Sequence, residues 1–376
     1  MSDRPTEGPV WIREADAVFR GGGIKVVGLI GALIGFETHP SRPIERWVST
    51  GGTSSGAIIA SYLIVDRGPQ AAQRLIEELD PERLAGFVDF PLGRKYVGGL
   101  PRLLARRGMA SGIALERWLD ELLGGATFAI ARPTDGSDDW GRSRLKLVAF
   151  DLTNRRLLVL PEDLSRYRLP GTRQPIDPAT FPIARAVRMS ASIPYLFEPV
   201  TLEQIAVPDP SRPGRLLTVT PRPATIVDGA AVSTFPVWLF DDPDPKRPTF
   251  GFTLTGGASF GRGHGTIRRL PWPLEFGFEM FNAAQHAWDE RFVTRSTSVR
   301  TVGVEATVRT PDGTDHPIRT TDFRLDTRLR DLLVANGRAA ATSYLDEFDA
   351  SAHFNSFHAS PLSGVDRAGT DGSEKP

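Results

Sequence analysis

The stretch "STGGTSSGAIIASYL", residues 49–63, decides how the rest of the chain is read. It sets a G-x-S-x-G frame, Gly52-Thr53-Ser54-Ser55-Gly56, between the apolar run "ERWVST" (45–50) and the longer apolar run "GAIIASYLIVDRG" (56–68). A strand entering such a frame and a helix leaving it force the middle serine onto a sharp turn, with its side chain above the sheet. Gly52 and Gly56 permit that turn because a β-carbon at either place would collide with the neighbouring strand or helix. Ser54 is the residue the frame exposes, and Ser55 is out of register. A plain flexible loop is the competing reading of so short a pattern. Phosphate-cradling readings fail on spacing. Ala57 stands where a P-loop needs lysine, and a G-x-G-x-x-G pattern begun at Gly21 meets Val26 at its last glycine.

The same order of parts occurs just upstream. "ADAVFR" (15–20) is a short apolar run that ends in three glycines, and "IKVVGLIGALIGFE" then has the length and small-residue content of a helix packed closely on a sheet. Strand, glycine turn and helix, repeated, indicate an open α/β sheet wound by crossovers. Downstream, Ser111 reads as the N-cap of "GIALERWLDELL", with Gly124 as its stop. "RLKLVAFDL" and "RRLLVLP" read as a hairpin, and "DPATFPIARAVRMSAS" as a capped helix. "RLLTVT" and "ATIVDG" read as two strands, "TFGFTLTG" and "SVRTVGV" as two more, and "LDTRLRDLLVANGRAAATSYLDEF" as a closing helix. Glycine dominates 256–265, an aromatic-rich helix is expected near 272–290, and the Gly/Ser/Asp/Lys-rich tail from Ala359 is expected to be disordered.

The chain has 376 residues, 40% hydrophobic and 24% charged, the composition of an ordinary globular protein. Lys plus Arg equal Asp plus Glu at 45 each, so no global field steers it toward nucleic acid. With no cysteine there is no disulfide, thiolate or Cys-based zinc site, and no metal or cofactor is called for. The first residues lack an apolar core, so no signal peptide is expected. The longest apolar run, 26–36, is well short of the roughly twenty residues that span a bilayer. These readings favour a soluble, cytoplasmic protein.

Two further places bear on chemistry. In "RGGGIK" (20–25), the amides of Gly21, Gly22, Gly23 and Ile24 precede a helix whose positive dipole end lies behind them. Such a nest suits an oxyanion formed in a transition state; a tight packing turn explains the glycines equally well. Lys25 is either close to developing charge or a solvated first-turn residue. None of the six histidines has a promising context: His39 is in a Pro-flanked turn, His264 in a glycine loop, His286 on a packed helix, and His353 and His358 near a frayed end. Asp228 instead follows the apolar strand "ATIV" and precedes Gly229-Ala230, a strand-end position where α/β folds keep reactive groups. Within hydrogen-bond reach of Ser54, a carboxylate there could accept its proton. A simple D-G turn is the alternative.

Taken in order, "FRGGGIK", "GTSSG" and "VDGA" resemble the patatin-like phospholipase family, and "VAFDLTNRRLLVLPEDL", "VRMSASIPYLFEPV" and "DGAAVSTFPVWLF" are similar to its bacterial members. The resemblance covers about residues 15–255. It implies a three-layer α/β fold with a central, mostly parallel sheet and helices on both faces. It also implies a serine acyl hydrolase of lipid esters, of phospholipase A or lysophospholipase type, working through a Ser-Asp dyad without histidine. By that resemblance Ser54 is the nucleophile, Asp228 the base, and Gly21, Gly22, Gly23 and Ile24 the oxyanion hole. Lys25, Gly52, Gly56, Gly229 and Ala230 complete the motifs. Val26 stands where the family usually has glycine, and Thr234 where asparagine commonly follows the aspartate motif. A neutral-lipid lipase or esterase, an acyltransferase with the same dyad, and a non-catalytic lipid-binding scaffold are the alternatives.

The implied organisation is an N-terminal tail (1–14), a catalytic domain (15–255), a C-terminal extension packed on the same domain (256–358) and a tail (359–376). Four features have two readings each. Asp151 is a second carboxylate or a hairpin-turn residue bonding its own backbone. Arg188 is a headgroup contact or a salt-bridged helix arginine. The basic stretch 93–108 is a solvated segment or a peripheral contact with an anionic membrane surface. "PWPLEFGFEMF" (271–281) lines an acyl tunnel or packs in the core. The expected partner is the lipid ester itself, with no nucleic acid; the oligomeric state is not encoded in any feature of the sequence.

Overall fold

Alternation of wholly buried residues with turn glycines builds the centre of the sheet. The computed structural model describes residues 13–66, 68, 70–79, 105–209, 211–212, 214–242, 244–256, 298–318 and 325–358. Ala15, Ala17, Val18 and Phe19 are fully buried and form strand β1 (Glu14–Phe19). The chain passes through a 3₁₀ turn (Gly23–Lys25) into helix α1 (Val26–Thr38) and returns as β2 (Arg46–Thr53). Helices α2 (Ser55–Val65) and α3 (Ala71–Glu78) follow. Next come β3 (Gly108–Ala110), α4 (Ile113–Leu122) and the hairpin β4 (Leu145–Asp151) with β5 (Arg156–Leu160). β6 (Tyr167–Arg168), α5 (Ile183–Ser190), β7 (Tyr195–Phe197), β8 (Val200–Pro208) and β9 (Leu216–Asp228) lead to β10 (Thr249–Thr255). The described chain ends with β11 (Thr301–Glu305), β12 (Thr307–Arg309), β13 (Asp315–Pro317), α6 (Thr327–Asp346) and α7 (Ala350–His358).

Strands β11, β10, β1, β2 and β4 pair side by side in parallel, as the crossover pattern predicts. Beyond β4 the sheet turns antiparallel, through β9, β8 and β6, with β5 also antiparallel to β4. The register at β4 positions everything that follows. β5 occupies one edge of β4 from Leu147 to Asp151. The other edge is shared end to end: β2 pairs with Leu145–Val148, and β9 takes over at Ala149–Asp151. Because β2 runs parallel and β9 antiparallel to β4, their C-terminal ends meet head-on. Thr53 lies opposite Val148, and Asp228 lies opposite Ala149, the next rung.

One face of the sheet carries an aromatic layer under α1. Phe19 stacks on Phe252 at 5.1 Å, and Phe36 of α1 meets Phe250 and Phe252 edge-on at 4.9 and 5.2 Å. The opposite face is covered by the 3₁₀ helix Val237–Phe240, whose Leu239 packs with Val148 and Val159. Small residues let α6 lie directly on α1. A Cβ at Gly31 would come 2.3 Å from the Val334 carbonyl oxygen, one at Gly35 would meet Ala341 Cβ at 2.5 Å, and one at Gly337 would sit 2.0 Å from the Gly28 carbonyl oxygen. The backbones of the two helices are therefore in contact, and the C-terminal helix buttresses the helix that follows the glycine loop. No described helix is long and apolar enough to cross a membrane.

Several local expectations change. "RLLTVT" and "ATIVDG" form the single 13-residue strand β9, because β8 pairs along both and a register slip after Gln204 absorbs the proline-containing middle. Ser111 is not the cap of α4. Gly112, at φ +68°, holds that place, although the Ser111 hydroxyl still accepts from the Ile113 amide at 3.3 Å. His353 is not at a frayed end but fully buried, against Phe250 and Phe348. The basic residues 93–104, the glycine stretch 257–265, the aromatic segment 271–290 with His264 and His286, and the tails 1–12 and 359–376 lie outside the described residues.

The helix contact gives a prediction with a definite sign. Gly to Ala inside a free helix stabilises it by about 0.5–1 kcal/mol, but here the added methyl meets backbone. Gly31→Ala is expected to destabilise the protein by about 1–3 kcal/mol, the cost of overpacking, read as a lowered denaturation midpoint.

Candidate active site

The head-on meeting of β2 and β9 puts a hydroxyl against a carboxylate. Ser54 follows β2 and precedes α2 with φ 55° and ψ −126°, a conformation that L-residues rarely adopt. The flanking glycines are required by space. A Cβ at Gly52 would lie 2.5 Å from the Gly56 carbonyl oxygen, and one at Gly56 would lie 2.5 Å from that of Phe19. Ser54 Oγ donates to Asp228 Oδ2 at 2.7 Å. The other carboxylate oxygen, Oδ1, accepts from the Ala230 amide at 2.8 Å. Gly229 is needed here as well, since its Cβ would fall 2.2 Å from the Val148 carbonyl oxygen.

Ser54 is 6% exposed and Asp228 1%. Burial penalises the charged carboxylate and pushes Asp228 up to about 7, against the smaller opposing pull of its bonds to the Ala230 amide and the Ser54 hydroxyl. A group that titrates there can both take up and return a proton near neutral pH.

The glycine loop lies directly on the serine: a Cβ at Gly21 would come 3.1 Å from Ser54 Cβ. Its amides are not equivalent. Gly21 donates to the Thr234 carbonyl at 2.9 Å, which removes it from the expected oxyanion set and ties the loop to the turn after Asp228. Gly22 donates to Ser55 Oγ at 3.1 Å. Gly23, at φ +58°, and Ile24 open the 3₁₀ turn, so their amides precede any intrahelical acceptor. Lys25 ends that turn, half-buried.

Asp151 takes the turn reading. It accepts from the Asn154 amide at 3.0 Å, and Tyr167 OH donates to it at 2.8 Å. Arg188 takes neither of its two readings. It is 2% exposed, and burial lowers its pKa to about 10. Its guanidinium donates to the carbonyls of Gly112, Ser111 and Glu198 at 3.1, 3.0 and 2.7 Å, and also to Ser192 Oγ. Among the described histidines, His39 pairs with Asp346 at the far end of α1, His316 lies in β13 and His353 in the aromatic layer. Sequence reasoning passed over Ser190. Its hydroxyl accepts from the Ser54 amide at 2.9 Å and donates to the Val148 carbonyl at 2.6 Å. The signal available was a pair of serines at the end of an otherwise apolar helix face.

The α/β sheet thus holds a serine on a strained strand-to-helix turn, hydrogen-bonded to a strand-end carboxylate. The Patatin-like phospholipase family profile matches residues 17–241, and the chain belongs to that family. It is accordingly a lipid ester hydrolase. YqhO, an uncharacterized protein of Bacillus subtilis (strain 168), is 36% identical over 239 residues, 64% of this chain and 70% of YqhO. Among solved structures, VipD from Legionella pneumophila is similar at a TM-score of 0.40 and 14% identity, over 90% of this chain and 67% of VipD. ExoU, in its complex with SpcU from Pseudomonas aeruginosa, is similar at 0.42 and 15%, over 90% of this chain and 52% of that one. The chain thus spans about half the length of ExoU.

The buried carboxyl also affects stability. Its folded pKa of about 7 lies above the ordinary 3.8, so between those values the unfolded chain releases a proton that the folded one keeps. Folding stability contributed by this group therefore falls as pH rises from about 4 to about 7 and then levels off. Asp228→Asn escapes that loss. Its denaturation midpoint is expected to exceed that of the wild type at pH 8, with the difference shrinking toward pH 4, by roughly 1.4 kcal/mol per unit of displaced pKa.

Proposed function

We propose that the protein is a phospholipase A- or lysophospholipase-type acyl hydrolase in which Ser54 is the nucleophile and Asp228 the general base. The 2.7 Å bond between them is the observation that carries this reading. Ser54 Oγ attacks the ester carbonyl carbon as its proton passes to Asp228 Oδ2. The oxyanion is received by the amides of Gly22, Gly23 and Ile24, and it displaces the Ser55 hydroxyl from Gly22. Collapse of the intermediate expels the alcohol, which takes the proton from Asp228, and leaves Ser54 acylated. Water then attacks the acyl carbon and gives its proton to Asp228; the proton returns to Ser54 as the fatty acid leaves. Asp228 carries every proton in this cycle, so the reading calls for no metal or cofactor. An alcohol in place of water would make the same cycle an acyl transfer.

Two finer assignments accompany it. The segment 15–255 together with the helix packed on α1 is read as one catalytic unit, supported by the backbone contact of α6 with α1. Contact with a lipid surface is supported at the β4–β5 turn, where Leu152 is 53% exposed. The Leu152 amide donates to the Thr225 carbonyl, Arg107 reaches the Thr225 hydroxyl, and Arg107 precedes Gly108, which pairs with exposed Tyr195. Exposed apolar side chains beside Arg106 and Arg107 suit an anionic headgroup layer.

A fluorophosphonate probe is expected to label the wild type and not Ser54→Ala. Asp228→Asn is expected to lower turnover of a soluble ester by at least a hundredfold with folding intact. For the wild type, kcat/KM should rise with pH through an acid limb near 7, since the base must be ionised. Labelling of Ser54→Ala, or normal turnover by Asp228→Asn, would overturn the dyad. In vesicle sedimentation, Arg106→Glu/Arg107→Glu is expected to bind phosphatidylglycerol vesicles more weakly than the wild type; equal binding would remove the lipid-surface assignment.

A further inference from the structure

Ser190 and its surroundings are not accounted for by the cycle above. Ser190 is the last residue of α5, fully buried, and its hydroxyl both donates and accepts a hydrogen bond at this junction. It accepts from the Ser54 amide and donates to the carbonyl of Val148, the last β4 residue paired with β2 before β9 takes over. Two residues later, the Ser192 carbonyl accepts from the Asp228 amide at 2.9 Å. One short segment therefore holds the backbones of both partners in the hydroxyl–carboxylate pair. That segment is itself braced. Ser192 Oγ donates to the Arg188 carbonyl at 2.8 Å, and the Arg188 guanidinium binds Ser192 Oγ and the carbonyls of Ser111, Gly112 and Glu198.

We propose that Ser190 is a positioning residue for acyl transfer: through the Ser54 amide and the Val148 carbonyl it fixes the nucleophile's backbone at the distance from Asp228 that proton transfer needs. The inference rests on the Ser54–Asp228 reading of the site. Ser54 sits at a positive φ that its own chain does not favour. At such a place, an external acceptor for the amide helps to decide which way the turn relaxes. Without the Ser190 hydroxyl, the Ser54 amide and the Val148 carbonyl are both left in a buried junction without that partner, a condition proteins avoid. The turn shifts to recover one of them. A displacement of about 1 Å at a reacting group costs on the order of a hundredfold in rate.

The test compares Ser190→Ala with Ser190→Thr, which keeps the hydroxyl, using a soluble ester, fluorophosphonate inactivation and circular dichroism. For Ser190→Ala we expect kcat and the inactivation rate to fall ten- to a hundredfold, with KM within about twofold. The acid limb should also move to higher pH, because the Ser54 hydrogen bond that draws the Asp228 pKa down is weakened. Ser190→Thr should restore the limb and most of the rate. If Ser190→Ala does not fold, Ser190→Cys takes its place under the same criteria. Unchanged kcat, or a loss with an unmoved limb that Ser190→Thr does not rescue, would overturn the proposal. Failure of the wild type itself to turn over the ester or take the probe would instead count against the dyad.

Discussion

Everything at the site depends on one edge of β4 being divided between two strands. A strand edge normally serves one neighbour along its length. Here β2 leaves at Val148, and β9 arrives at Ala149 from the opposite direction. The handover leaves the C-terminal ends of two strands pointing at each other, so the residue just past the end of β2 faces the residue that ends β9. Ser54 and Asp228 are those residues. Their 174-residue separation is closed by sheet register, so the geometry is as rigid as the ladder that carries it. The turn from parallel to antiparallel pairing beyond β4 is what makes the meeting head-on.

Such a junction is costly to hold. Ser54 has a positive φ, Asp228 is a carboxyl taken out of water, and three glycines are packed against backbone with no room for a methyl group. The surroundings offset this by rigidity. The aromatic layer fixes α1 to the sheet, α6 lies backbone to backbone on α1, and the Gly21–Thr234 bond fastens the loop before α1 to the turn after Asp228. Both departures from the family pattern lie in this region: the Thr234 carbonyl accepts that bond, and Val26 is buried at the start of α1, after the turn that carries Gly23 and Ile24.

Much of this was legible in the sequence because it is local. The glycine frame, the strand-end aspartate and the repeated strand–turn–helix order are short-range patterns imposed by sterics, and each appears where its residues indicated. What was not legible depends on register. Nothing in "RLLTVT" or "ATIVDG" says that β8 will pair across both, and nothing in Gly21 says that its amide will be claimed by residue 234. Arg188 misled for a related reason. An arginine on a helix usually faces solvent, and only the tertiary structure shows three carbonyls converging on it. Ser190 was overlooked because a serine ending an apolar helix looks like ordinary small-residue packing until its two partners are known.

The scarcity of promising histidines, which first suggested a dyad, has a physical counterpart in the burial of Asp228. An imidazole titrates near 6.5 in water and an aspartate near 3.9, so an exposed carboxylate would be too weak a base to hold a serine proton for long. Desolvation removes that difference: it raises Asp228 to about 7, where the carboxylate has the proton affinity of an imidazole. In the proposed cycle the two acceptor oxygens would divide the work that a histidine–aspartate pair performs together: Oδ1, held by the Ala230 amide, would fix the orientation, and Oδ2, which faces the hydroxyl, would carry the proton. On this view the base strength of the site comes from dryness, and dryness comes from the closed handover between β2 and β9.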